Sequence, residues 1–348
     1  MQPTRPVQTS VAIEDVTRLE ERGLLQRVIA NQSFWVTLTV ALICLATAWY
    51  EPETFPTRDN FFNITRNFAP IGIMAMGMTA VILTRGIDLS VGSMMALVGI
   101  STARLLEAGF PWWVGTGAGL AVGLAAGGVN GALVAYVKLP PFVVTLGTLS
   151  IFRSLAVVLS ENRIIYDFGE SGDVFKELGG GQVGFPWYDG TTLYLSNQFL
   201  VLVVLALLFG FVFRAVPWGR HLYAIGGNEQ AAQLTGIPVD RIKLQAYMIC
   251  GLTTAIAALL LTGYNGSASN GMGRTWELYV IAAAVIGGTN LMGGEGGAYG
   301  GFIGAALIFL IRNSLIMFGV EANWYDLFVG LFIILAVLLE RIRGRSRG

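Results

Sequence analysis

With 54% hydrophobic and only 13% charged residues among 348, and a mean hydropathy of +0.63, the chain falls outside the soluble globular class, where roughly a quarter of residues are charged. Its formal net charge of zero offers no electrostatic footprint for a nucleic-acid partner. One histidine, His221, and two cysteines in apolar segments, Cys44 and Cys250, give no metal spacing, no expected disulfide or cofactor, and little material for acid–base catalysis.

Residues 1–33 are polar and carry Arg5, Arg18, Arg22 and Arg27. No small-residue cleavage site follows the first apolar run, so this stretch is expected to be a cytoplasmic arm rather than a removable signal peptide. Within it, 16–29 suits either an amphipathic helix on the inner surface or a solvated arm. Apolar runs then follow at 34–50, 67–84, 91–106, 112–137, 142–159, 199–216, 244–264, 277–289, 298–318 and 324–339. Arginines before the first run, with Glu51 and Glu53 after it, place the N-terminus inside by the positive-inside rule. Pro140-Pro141 forbids a continuous helix between the fourth and fifth runs. The acidic connection 161–197 is expected outside, and the basic loop 217–243 and the tail 341–348 inside. The run 277–289 is too short to cross unaided. The expected fold is an all-α integral membrane protein with about ten transmembrane helices over 34–340, some broken or re-entrant, and with both termini cytoplasmic.

One stretch interrupts this pattern with polar residues: Arg85-Gly86-Ile87-Asp88-Leu89-Ser90-Val91-Gly92-Ser93. Non-helical backbone at membrane depth survives only inside protein or against water. Gly86 and Gly92 are expected to let the chain turn, and Asp88 or Ser90 to cap the following helix. A tight loop at the cytoplasmic boundary and a re-entrant turn beside a substrate path both fit. A second break, Asn290 to Gly297, follows Ala284-Val285-Ile286 much as the first follows Ala80-Val81-Ile82, a hint of parallel repeats. Asn130 and Thr145 are neutral hydrogen-bonding groups suited to contact with a polar solute or to bridging helices. Phe142, Tyr264 and Trp276 suit stacking on a solute or interfacial anchoring. Arg153 and Arg312, inside spans, are expected to snorkel or pair with a carboxylate, or else to line a pore as donors to a hydroxylated solute.

The loop 217–243 carries its own helix punctuation. Asn228 suits an N-cap, Glu229 and Gln230 the first turn, and Gly236 the end. Ala231, Ala232 and Leu234 form a small apolar face, and so short a helix needs a surface to pack on. That surface is either the membrane face of the chain itself or a cytoplasmic partner.

The segments Ile87-Asp88-Leu89-Ser90-Val91-Gly92-Ser93, Asn130-Gly131 with Leu139-Pro140-Pro141-Phe142-Val143-Val144-Thr145-Leu146-Gly147, and Ala224 to Ile237 together resemble the permease of ABC monosaccharide importers of the ribose/xylose/galactose type. The resemblance covers about 60–343. It implies a multi-pass protein of the bacterial inner membrane, embedded in lipid, that conducts a small sugar or polyol. It also implies a second permease subunit (identical or related), a cytoplasmic ABC ATPase and a periplasmic sugar-binding protein. The ATPase would dock on Asn228, Glu229, Ala231, Ala232, Leu234, Gly236 and Ile237. Asp88, Ser90, Asn130, Phe142, Thr145 and Asn290 are the candidates for the translocation path. Two departures stand out: Arg85, where such permeases usually carry glycine and whose cation could pair with Asp88 or reach the headgroups, and an enlarged 161–197 loop. The chain has no Gly-x-x-x-x-Gly-Lys-Ser/Thr loop, so ATP hydrolysis is expected in a separate subunit. An ion-coupled secondary transporter and an integral-membrane enzyme are the competing classes; acidic residues at span ends speak against the first and the lone histidine against the second.

Overall fold

In the computed structural model the structure describes residues 31–334 apart from 171, 188, 189, 329, 332 and 333. The expected arm 1–33 (except its last three residues), half of the last span and the basic tail lie outside the described residues.

Helices dominate. Their order is α1 (Gln32–Tyr50), α2 (Arg58–Leu83), α3 (Val91–Glu107), α4 (Trp112–Ala135), α5 (Pro141–Ser160), α6 (Gly172–Gly180), α7 (Asn197–Ala215), α8 (Pro217–Gly227), α9 (Glu229–Leu234), α10 (Val239–Asn265), α11 (Trp276–Ile286) and α12 (Ala298–Met317). Strands β1 (Gln182–Pro186) and β2 (Thr192–Ser196) form one antiparallel hairpin between α6 and α7, with Gln182 opposite Ser196 and Pro186 opposite Thr192. Among the described residues, seven helices are long and apolar enough to cross a membrane: α1, α2, α4, α5, α7, α10 and α12. The expected spans 91–106 and 277–289 correspond to the shorter α3 and α11.

Two helices start before the apolar runs they carry. The second helix begins at Arg58, not 67, because Thr57 caps it by accepting from Asn60 N at 3.2 Å. Its polar first turns then find protein partners: Asn60 and Asn313 pair, with Asn313 Nδ2 donating to Asn60 Oδ1 at 2.8 Å, and Arg66 lies over the Tyr264 ring at 4.7 Å. α10 likewise begins at Val239, five residues before the apolar run at 244.

The core centres on α2, whose apolar stretch is 89% buried, against 11% for α1 and 28% for α5. α2 is therefore shielded by other helices, while α1 and α5 present apolar sides outward. α4 packs on α10 almost backbone to backbone. A Cβ on Gly127 would stand 2.2 Å from Tyr247 O, and one on Gly251 would stand 2.1 Å from Gly123 O. This is the close approach that small residues permit where lipid supplies no hydrophobic drive between helices.

The 161–197 connection is built rather than extended. Besides α6 and the hairpin, it is tied down by the buried Phe168–Phe175 edge-to-face pair at 5.5 Å. A backbone bridge joins Ile165 to Ala268. An ion-pair network links Arg163 to Glu107 (2.7 Å) and Arg104 to Glu107 (2.9 Å) and Glu161.

Candidate transport site and coupling surface

α2 ends in a Schellman motif, in which two backbone N–H groups satisfy carbonyls of the last turn. Arg85 N donates to Ile82 O at 2.8 Å, and Gly86 N to Val81 O at 3.1 Å. The left-handed residue this requires is Arg85, at φ 62°. The expectation that Gly86 and Gly92 make the turn is thus corrected: neither has positive φ, and both are glycine for space. A Cβ on Gly86 would meet Tyr247 Oη at 2.7 Å, and one on Gly92 would meet Gly273 O at 2.2 Å.

Beyond the turn, Asp88 Oδ1 accepts from Ser90 N at 2.9 Å and Ser90 Oγ at 2.6 Å, while Asn130 Nδ2 donates to Asp88 Oδ2 at 3.2 Å and to Ser90 Oγ at 2.8 Å. The carbonyl of Ile87 accepts from Tyr247 Oη at 3.2 Å and Thr145 Oγ1 at 3.5 Å. Four of the six path candidates, Asp88, Ser90, Asn130 and Thr145, are therefore brought together, and none has solvent-accessible surface. A buried carboxylate is costly unless hydrogen-bonded, and three neutral N–H and O–H donors serve it here. The expected cap is corrected as well: Ser90 occupies the N-cap of α3 without a side-chain cap bond, and along the chain Asp88 accepts from Ser90 N and Oγ, not from the first-turn N–H groups of α3. Phe142 stands apart on the outside of α5, 55% exposed.

Asn290 belongs to the second break. α11 ends in the same motif, with Gly288 N donating to Val285 O at 2.9 Å and Thr289 N to Ala284 O at 3.0 Å. Here the left-handed residue is Gly288, at φ 105°. Asn290 Oδ1 then accepts from Met292 N at 2.8 Å, the same side-chain turn that Asp88 makes with Ser90. The echo between the two breaks is thus a shared hydrogen-bond pattern. It aligns Val81 with Ala284, one residue out of the register suggested by the sequence.

The breaks meet at the C-terminal end of α8. Gly294 N donates to Leu83 O at 3.1 Å, and a Cβ on Gly226 would stand 2.0 Å from Leu83 O and 2.2 Å from Gly294 N. Tyr223 Oη donates to Gly296 O at 2.9 Å, and burial pushes its phenol above the usual range, which keeps it a donor. Arg85 does not pair with Asp88: Nε donates to Gly226 O at 2.8 Å and Nη2 to Gly227 O at 2.9 Å.

Directly after Gly227 comes α9, a single six-residue turn and a half, shorter than the sequence suggests. Asn228 caps it as expected, accepting from Ala231 N at 3.0 Å, Gly236 takes φ 84° after its end, and Glu229 is held by Lys243 at 2.7 Å. Its apolar residues do not form one inward face. Ala232 is buried and Ile237 packs on the core, whereas Ala231 is exposed and Leu234 is 90% exposed. A cavity of about 470 Å³ lies alongside, between α9 and Arg85.

The two arginines inside expected spans find partners within the protein. Arg153 Nη1 donates to Asn270 O at 2.6 Å and Met272 O at 2.9 Å, holding a loop by its carbonyls rather than a carboxylate, and Arg312 lies over the Tyr325 ring at 5.5 Å.

Residues 60–338 match the family described as branched-chain amino acid transport system / permease component. The chain belongs to this permease family. The permease is 35% identical over 312 residues to a ribose import permease of Haemophilus influenzae, covering 88% of this chain and 93% of that one. It is 34% identical over 304 residues to a D-allose transport system permease of Escherichia coli (87% and 90% covered), and 35% identical over 281 residues to a fructose import permease of Rhizobium meliloti (80% and 76% covered). No solved structure matches. The permease is accordingly a multi-pass inner-membrane transport subunit of an ABC importer, and it is not itself an enzyme: ATP hydrolysis resides in a separate subunit. The family implies an ATPase and a substrate-binding protein as partners. Family membership also sets aside the ion-coupled carrier.

Proposed function

We propose that the permease conducts a monosaccharide or small polyol inward, by alternating access between two permease subunits driven by a docked ATPase pair. The observation that carries this is Leu234: a large apolar side chain, 90% exposed, on a capped helix that directly follows the end of α8 where both breaks meet. A short helix presenting such a side chain to water fits an anchor for a partner's groove. In this reading α9 and the residues 228–237 around it receive the ATPase, and a periplasmic sugar-binding protein docks opposite, near the 161–197 segment. The chain has ten spans with both termini cytoplasmic.

The path, in the same reading, runs along the outer side of α5. Phe142, Gly147, Ser150 and Ser154 lie on one exposed stripe of that helix, and hydroxyls in a membrane helix are best placed against protein or water. The Asp88–Ser90–Asn130–Thr145 cluster stands behind it, and Asn290 at the inner mouth. The second permease, a copy or a relative, supplies the facing wall. The test is ATP hydrolysis by the cognate ATPase in liposomes carrying the permease, with and without the binding protein, across pentoses, hexoses and polyols. Stimulation by one loaded binding protein is expected; a stably assembled complex that no sugar stimulates would contradict the reading.

A further inference from the structure

Arg85 occupies a backbone position that disfavours side chains. Its φ of 62° belongs to the left-handed region, where an L residue carries a steric cost, and the equivalent position in the second break is glycine, Gly288. What the arginine gains there is reach. Its planar fork spans two successive carbonyls, Gly226 O and Gly227 O, at the C-terminal end of α8, where unpaired carbonyls and the helix dipole favour a cation. Room for its stem is provided by Gly293, where a Cβ would come within 2.6 Å of Arg85 Cγ. Gly227 is followed at once by Asn228, the N-cap of α9. On its other side Arg85 is two residues from Ile87, whose carbonyl is held by Tyr247 and Thr145, and three from the buried Asp88.

We propose that Arg85 is a positioning residue that couples α9 to the first break, so that displacement of α9 by the ATPase turns the 85–88 segment and the cluster attached to it. This rests on the reading of α9 as the ATPase-docking helix. The carbonyls of Gly226 and Gly227 move with α9, the guanidinium follows them, and the short 85–88 link leaves little slack.

The test uses the complete importer reconstituted with its ATPase and binding protein, comparing wild type, Arg85→Gly and Arg85→Lys. Glycine accepts the left-handed backbone, so Arg85→Gly removes the bridge while keeping the turn. Three readings are taken: ATPase recruitment, the ratio of sugar-stimulated to basal hydrolysis, and uptake per ATP. The expected result is wild-type recruitment with the ratio and the uptake per ATP both lowered at least about fivefold, the low end of typical coupling between sites. Lysine, which lacks the planar fork, is expected to match glycine rather than rescue. Wild-type coupling in Arg85→Gly, or full rescue by lysine, would overturn the proposal. Loss of recruitment in Arg85→Gly would overturn it too, by making Arg85 part of the docking surface itself. Failure of the underlying reading shows differently, as a wild-type complex in which the ATPase is not recruited through α9.

Discussion

The two breaks use one backbone device to different ends. Both helices close with a Schellman motif, place a left-handed residue next, and follow it with a side-chain turn made by Asp88 or Asn290. The first break is then locked by side chains: Asp88, Ser90 and Asn130 bond one another in full burial. The second is left to backbone. Gly293, Gly294 and Gly296 all take positive φ, and Leu291 and Met292 are 46% and 74% exposed. A similar hydrogen-bond pattern thus serves as a rigid fixture in one place and as a surface loop in the other.

Removing the lock should cost most. Asn130→Leu withdraws the donor from Asp88 Oδ2 and Ser90 and leaves a buried carboxylate short of a partner, expected to destabilise by about 3 kcal/mol. Asn290→Ala, its counterpart in the open break, loses one bond in a partly exposed loop, expected to cost about 1 kcal/mol. Thermal unfolding of the two variants in detergent checks the difference; equal losses would mean that the first break is not locked by its side chains. Between these in size comes Gly288→Ala. A Cβ there meets both a φ of 105° and Gln32 Cβ at 3.2 Å, expected to cost about 2 kcal/mol. Arg85, at the matching position, already carries a side chain, so Arg85→Gly is expected to change coupling more than stability.

Much of this was legible in sequence where the signal is local. The apolar runs gave the helices, Pro140-Pro141 gave the start of α5, and Asn228 and Gly236 bounded α9. The left-handed residue was not legible, because Gly86 and Gly92 both follow the arginine and composition points to them; tertiary contacts from Tyr247 and Gly273 are what require their small size. The partners of Arg85 lie about 141 positions away, beyond any local pattern. Burial of Asp88 depends on α4 bringing Asn130 across, and the hairpin in 161–197 on cross-strand pairing that a polar, glycine-containing stretch does not announce.

The central claim is that α9 is where ATP hydrolysis meets the membrane subunit, and Leu234→Asp tests it most directly. The side chain is 90% exposed, so the substitution leaves folding intact while placing a charge where a groove would close. Recruitment of the ATPase to membranes carrying the variant is expected to fall at least about tenfold, which is about 1.4 kcal/mol of binding. Recruitment and uptake equal to wild type would contradict the account.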